Sequence, residues 1–174
     1  PRPYRGGMPR IEADQIVDLD PWTAFAVSQT TGDTRLRWDP FIKRQRHLDG
    51  ATIAGVGVRT ETTSKHGLTM VSQYTSFHPP ERVGMKMVKG PWFFEKFGGG
   101  WIFKALDDGR TQATWRYTFT VRPGVLSRVA DPIGIRLLKR DIDQRIEAFA
   151  TGCADPEVLA VARDMTQRWQ TERA

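Results

Sequence analysis

The segment FFEKFGGGWIF, residues Phe93–Phe103, places five aromatic residues around three consecutive glycines. Aromatic residues favour strands, whereas glycine weakens a strand interior and marks a bend or a close approach of another backbone. The strand-like aromatic pattern continues on both sides of residues 98–100. We therefore predict one strand that bends at the glycines, with a loop between two short strands as the alternative.

Strand-forming residues dominate from Phe41 to Arg122, and turn residues recur there at short intervals. In the last part of this region Trp115, Tyr117 and Phe119 alternate with polar residues, which predicts a strand with one buried and one wet face. Short connections favour antiparallel neighbours. We predict six such strands, near residues 41–48, 57–64, 68–78, 82–88, 92–105 and 111–122.

Other elements flank this strand-rich region. Residues 10–18 are predicted as a first strand, and Asp20 followed by Pro21 predicts a helix start, because Asp caps a helix and proline fits its first position. A second short helix is predicted after Gly32. Beyond residue 124, apolar residues recur at helical spacing and predict a long helix with one apolar stripe, formed by Ile135, Leu138, Ile142, Ile146 and Phe149.

The chain of 174 residues is expected to form one main domain. We assign residues 1–9 to a flexible tail, residues 10–152 to the domain and residues 153–174 to an additional C-terminal helix. The apolar line of that last helix ends in Trp169. It either folds back onto its own chain or contacts a second copy, so a homodimer is one hypothesis.

Composition limits the classes of function. The net charge of +6 comes from scattered basic residues without a recognition motif, so no nucleic-acid partner is expected. The sequence has one cysteine, Cys153, and no long apolar run, and we expect a cytoplasmic protein without a membrane span. His47, His66 and His78 are not spaced as a metal site, and no phosphate or dinucleotide loop is present. We expect no metal or cofactor.

The order of elements resembles the helix-grip fold of START domains, the birch pollen allergen family and polyketide cyclase/dehydrase proteins, the SRPBCC superfamily. The resemblance covers roughly residues 10 to 150. It implies an α+β fold in which a curved seven-stranded antiparallel sheet wraps around a long C-terminal helix, with two short helices between strands 1 and 2. The motifs similar to the family are RIEADQIVDLDPWTAFAV, RWDPF, GPWFFEKFGGGWIF and TQATWRYTFTVRP.

The resemblance also implies a hydrophobic cavity between the sheet and the long helix, and alternation along the strands predicts its lining. Tyr74 and Tyr117 are candidates for polar contacts inside it, although ordinary core packing explains them equally well. The predicted ligand-binding residues are Tyr74, Met85, Met87, Phe97, Trp101, Phe103, Trp115, Tyr117, Phe119, Leu138 and Ile142.

Glu95 is the candidate catalytic residue. It lies two residues from both Phe93 and Phe97, so regular pleating places its carboxyl group on the same face as their rings. Burial in the cavity would suit the carboxyl group to act as a general acid or base. Pairing with a basic residue, or a bulge that turns Glu95 outward, are the alternatives.

Three functions follow in order of preference. The first is binding of a small hydrophobic or aromatic ligand, lipid- or polyketide-like, in the cavity. The second is a polyketide cyclase or dehydratase that uses an acid/base group of the cavity. The third is a protein-interaction module whose interior is filled by side chains.

Overall fold

The structure is a computed structural model that describes residues 10–122 and 127–171, with side chains undescribed between residues 127 and 135. The predicted tail, residues 1–9, lies outside the described residues. Helices α1 (Pro21–Ser28) and α2 (Gly32–Leu36) follow the first strand, and α3 (Ser127–Gly152) and α4 (Pro156–Thr171) follow the last. The strands are β1 (Arg10–Val17), β2 (Ile42–His47), β3 (Arg59–Ser64), β4 (Thr69–His78), β5 (Arg82–Lys89), β6 (Phe94–Ala105) and β7 (Thr111–Val121).

The seven strands form one antiparallel sheet in the order β1-β7-β6-β5-β4-β3-β2. Strands β2 to β7 pair in chain order as a meander, and β1 pairs with β7 through partners such as Ile11 with Tyr117 and Ala13 with Trp115. Helices α1 and α2 carry the chain from β1 to β2 at the opposite edge. The curled sheet with α3 across its face confirms the predicted helix-grip fold.

The three glycines lie inside β6, which runs without interruption from Phe94 to Ala105. A Cβ atom on Gly99 would lie 2.9 Å from Cδ1 of Tyr117, and one on Gly100 would collide with the backbone carbonyl oxygen of Val83 in β5. Strand β6 can approach both neighbouring strands this closely only because residues 99 and 100 have no side chains. The prediction of one continuous strand is confirmed, and the loop alternative is wrong.

An aromatic cluster fills the part of the interior beneath α1. The ring of Phe25 meets the rings of Phe77, Phe103 and Trp169 edge to face, with centroid distances of 5.4, 5.6 and 5.6 Å. Trp169 belongs to α4, which packs on α1. The apolar line of α4 is thus covered within its own chain, because the helix folds back.

Replacing Gly100 by alanine tests the close approach of β5 and β6. We expect Gly100→Ala to lower the free energy of unfolding by about 1–3 kcal/mol, because the added methyl group forces the β5 backbone to shift. Urea denaturation of both proteins measures the difference. Gly55→Ala is the matched control, since a methyl group there meets no atom within 4 Å. Equal losses in the two variants would contradict this account of the glycines.

Candidate ligand-binding cavity

A cavity of about 860 Å³ lies between the sheet and α3, within the size range of small-molecule sites. Strands β2 to β7 supply most of its wall, and α3, Arg35 of α2, residues 28–31 and the turns at residues 66–68 and 91–93 contribute further lining residues. Leu68, Trp92 and Leu137 line the cavity and are also largely exposed to solvent. These three residues mark where the cavity opens.

The wall formed by β6 and β7 is aromatic. Trp101 and Trp115 are cross-strand partners whose rings stack with centroids 4.2 Å apart. The ring centroid of Phe97 lies 5.1 Å from that of Tyr117 and 6.5 Å from that of Phe119. Flat rings of this kind offer a large apolar surface at a small entropic cost, and they suit a hydrophobic or aromatic ligand.

The wall formed by β2, β3 and β4 is more polar. Hydroxyl groups of Thr60, Thr62, Ser64 and Ser72 line it, together with the amide of Gln45. Gln45 donates from Nε2 to Thr62, but its buried Oε1 has no hydrogen-bond partner in the described part of the chain. Leaving a buried acceptor without a partner is costly.

Tyr74 lies where the polar wall meets α1. Its hydroxyl donates to Gln29 Oε1 over 3.0 Å. Burial raises the pKa of Tyr74 to about 12, so the phenol keeps its proton at neutral pH. Tyr74 therefore serves as a neutral hydrogen-bonding group of the wall.

A buried cluster of charges forms one end of the cavity. Arg35 and Arg145 both line it, and both hold the carboxylate of Asp39. Arg35 Nε and Nη2 lie 2.9 and 2.8 Å from Asp39 Oδ2, and Arg145 Nη2 lies 2.7 Å from the same oxygen. The exposed fractions are 5% for Arg35, 1% for Asp39 and 8% for Arg145, so all three charges are withdrawn from water.

Three parts of the chain bring this cluster together. Arg35 lies in α2 and Asp39 four residues later, just before β2, whereas Arg145 comes from α3. Aromatic rings cover the guanidinium groups. The guanidinium carbon of Arg35 lies 4.0 Å from the ring centroid of Trp38, and that of Arg145 lies 4.1 Å from the ring centroid of Trp115. Such cation–π contacts strengthen when they are desolvated.

The cluster shifts the ionisation of its members. Burial alone would raise the pKa of Asp39, but the attraction of Arg145 and Arg35 outweighs it, and the net pKa is lowered. Burial lowers the pKa of Arg35, whereas in Arg145 the attraction of Asp39 exceeds the effect of burial and the pKa is raised. Arginine stays protonated in proteins, so the three groups are charged at neutral pH.

Tyr117 joins the cluster to the aromatic wall. Its hydroxyl oxygen accepts a hydrogen bond from Arg145 Nη1. Burial raises the pKa of Tyr117, and the phenol is protonated at neutral pH. Within the described residues no acceptor is assigned to its hydroxyl proton, which lies beside the cavity.

Asp141 is the carboxyl group that lines the cavity in the described residues. It lies one helical turn before Arg145 on α3 and is half-buried. Burial raises its pKa, and the attraction of Arg145 and of His66 offsets this only in part. A carboxyl group with a raised pKa in a cavity is a candidate acid or base.

The structure brings most of the predicted ligand-binding residues to the cavity wall. Phe103 and Ile142 do not line it. Phe103 packs on Phe25 and Phe149 in the core, and Ile142 is fully buried. The predicted residues that line the cavity are Tyr74, Met85, Met87, Phe97, Trp101, Trp115, Tyr117, Phe119 and Leu138. Their role in binding stays a prediction.

Glu95 does not face the cavity, so the expectation that its carboxyl group lies inside is wrong, and the alternative of a bulge that turns it outward holds. The pairing of β6 with β7 shifts between Phe94 and Lys96, which makes Glu95 the extra residue of a bulge. Alternation breaks there. Phe93, Phe94 and Phe97 all line the cavity, while Glu95 is exposed.

Reasoning from the sequence missed the charged cluster and Asp141. One signal was available in α3: Arg145 lies three residues after Ile142 and four before Phe149, so it shares their apolar stripe. A second was the spacing of four between Arg35 and Asp39, which suits an ion pair on a helix. Neither signal shows that Arg145 contacts the pair formed by Arg35 and Asp39.

Comparison with known proteins identifies the family. Residues 8–153 match the family described as polyketide cyclase / dehydrase and lipid transport. The match spans most of the chain, so the protein belongs to this family, and the predicted resemblance is confirmed. Among curated proteins none matches the sequence.

Several solved structures share the fold. The protein TTHA0849 from Thermus thermophilus superimposes with a TM-score of 0.70 at 10% identity, covering 84% of this chain and 97% of its own. The Zhui aromatase/cyclase from a Streptomyces species superimposes with a TM-score of 0.67 at 16% identity, covering 85% of this chain and 94% of its own. Ara h 8.0201 superimposes with a TM-score of 0.60 at 15% identity, covering 85% of this chain and 99% of its own. At these identities the likeness shows the fold alone.

Two further properties bear on function. No helix in the described ranges combines the length and apolar character needed to cross a lipid bilayer. Among the described side chains, no group of three or more His, Cys, Asp or Glu is placed to hold a metal ion.

Replacing Asp39 by asparagine tests the buried cluster. We expect Asp39→Asn to lower the free energy of unfolding at pH 7 by about 3–5 kcal/mol, because it leaves two buried guanidinium groups without their counter-charge. Urea denaturation measures the loss. Asp49→Asn, which breaks the exposed pair with Arg59, is the control and should change stability little.

The same variant has a defined pH signature. The folded pKa of Asp39 is lowered below the unfolded value of about 3.9, so its contribution is present at neutral pH and is lost as the pH falls through the folded pKa. The stability difference between the two proteins should therefore shrink in acid. A difference that stays constant from pH 7 to strong acid would contradict this role of Asp39.

Proposed function

We propose that the protein binds a small hydrophobic or aromatic ligand, lipid- or polyketide-like, in the cavity between the sheet and α3. The observation that carries the proposal is the hollow interior of about 860 Å³ beside an aromatic wall. The family description, which joins polyketide cyclases and dehydrases with lipid transport, supports a ligand of this kind. A filled interior would instead have favoured an interaction module.

The two walls suit an amphipathic ligand. The rings of Trp101, Trp115 and Phe119 can cover a flat apolar body, and the hydroxyl groups opposite can bind its oxygen atoms. Sites for small molecules share this composition, in which apolar surface supplies affinity and a few polar groups fix orientation.

Binding of a neutral fluorescent probe tests the proposal. We expect N-phenyl-1-naphthylamine to bind with increased emission, because the cavity removes the probe from water. Ser72→Trp fills the cavity from β4 and should abolish this signal, whereas Gln73→Trp, which carries the same ring on the neighbouring residue outside the lining, should preserve it. Equal binding by the two folded variants would show that the probe binds elsewhere.

A second candidate function is catalysis of the cyclase or dehydratase type. The observation that favours it is Asp141, a half-buried carboxyl group with a raised pKa on the cavity wall. Its ionised form could remove a proton from a carbon between two carbonyl groups of a poly-β-ketone. The resulting enolate would attack a distant carbonyl carbon, and the proton would pass to the new alkoxide oxygen.

Asp141→Asn separates catalysis from binding. If the protein is a cyclase, turnover of a poly-β-ketone substrate should fall by roughly 10²–10⁴-fold, since an amide cannot accept the proton. The wild-type rate should rise with pH, with a midpoint above that of an ordinary aspartate. Probe binding should be unchanged. Turnover that survives in Asp141→Asn would remove the residue from the reaction.

A further inference from the structure

We infer that the buried end of the cavity binds an acidic oxygen of the ligand, a carboxylate, phenolate or enolate, between Arg35, Arg145 and Tyr117. The inference rests on the proposed binding function and narrows the ligand from any hydrophobic molecule to a hydrophobic acid. The binding groups are the free N–H bonds of the two guanidinium groups and the hydroxyl proton of Tyr117.

The charges of the cluster do not balance. Two guanidinium groups share one carboxylate, that of Asp39, and the sum is one positive charge in a place almost closed to water. Burying an uncompensated charge is costly unless a partner reaches it. Asp141 attracts Arg145 from the next turn of α3, but no ion pair joins them in the described structure. An anionic ligand would supply the missing charge.

Hydrogen-bond donors are left over as well. A guanidinium group carries five N–H bonds. Arg35 donates from Nε to Asp39 and from Nη1 to the carbonyl oxygen of Ser28 at 2.7 Å, and its Nη2 lies 2.8 Å from the same Asp39 oxygen in the ion pair. Arg145 uses Nε and Nη2 toward Asp39 and Nη1 toward Tyr117. One N–H on each terminal nitrogen therefore remains without an assigned acceptor among the described residues.

The donors are held in place before a ligand arrives. Asp39 fixes both guanidinium groups, and aromatic rings restrict their tilt. The guanidinium carbon of Arg145 lies 4.1 and 4.7 Å from the ring centroids of Trp115 and Phe41. Both rings pack on its guanidinium group. The free N–H bonds lie in the plane of that group, where a guanidinium group recognises acidic oxygens.

The ligand body has a defined neighbour. Trp115, Tyr117 and Phe119 lie on the same face of β7, so the acidic subsite is continuous with the aromatic wall. A ligand whose acidic oxygen lies at Tyr117 and Arg145 would lay its apolar part on Phe97, Trp101 and Phe119. An aromatic or long-chain acid fits this arrangement better than a neutral lipid.

A matched pair of probes tests the inference. We expect 1-pyrenebutyric acid to bind roughly ten- to a hundredfold more tightly at pH 7 than its methyl ester, as measured by pyrene fluorescence titration. The two probes share one apolar body and differ in the charge. Equal affinity would overturn the inference and leave the proposed function standing. If neither probe bound, the proposed function itself would fall.

Three variants locate the effect. Arg145→Met removes the excess charge but leaves Arg35 paired with Asp39, so it should abolish the preference for the acid over the ester. Tyr117→Phe removes one donor and should reduce the preference by a smaller factor. Arg116→Met is the control, because it removes an arginine from the other face of β7, where Arg116 pairs with Glu12.

The variants also guard against a failure to fold. If circular dichroism shows that Arg145→Met is unfolded, Tyr117→Phe decides the question, because it removes only a hydroxyl group. A preference for the acid that stays unchanged in folded Tyr117→Phe, or that falls as much in Arg116→Met, would overturn the assignment of the subsite.

Discussion

The structure depends on one shared carboxylate. Asp39 holds Arg35 of α2 and Arg145 of α3, and Arg145 reaches on to Tyr117 of β7. This chain of contacts ties the long helix to the sheet without filling the space between them. A curled sheet normally needs side chains in its interior to support the covering layer. Here polar cross-links at one end take over part of that support, so the rest of the interior stays open.

The helices and strands could be predicted because their signals are local, and the resemblance to the family supplied their arrangement. Alternation along β7 and the helical spacing of α3 follow directly from residue order, and Asp20 caps α1 as the sequence indicated. The glycines of β6 also carried their meaning in the sequence, since three in an aromatic strand required a special backbone. Most of the predicted wall followed from the same alternation.

The site was harder to predict because its decisive contacts are long-range. Asp39 and Arg145 are separated by 106 residues, and no local pattern shows that they meet. The predicted position of the Glu95 side chain was wrong for a different reason. A single extra residue in β6 reverses the direction of a side chain, and regular alternation contains no information about where a bulge occurs. Arg145 was visible on the apolar stripe of α3, but its partner was not.

The aromatic cluster of Phe25, Phe77 and Trp169 has a consequence for how such a protein diversifies. These rings lie outside the cavity lining, so close packing and hollow volume occupy separate regions of the same molecule. Substitutions of lining residues that do not touch these rings leave the packed cluster intact. Selection can therefore reshape the preferences of the hollow region while the packed cluster preserves the scaffold.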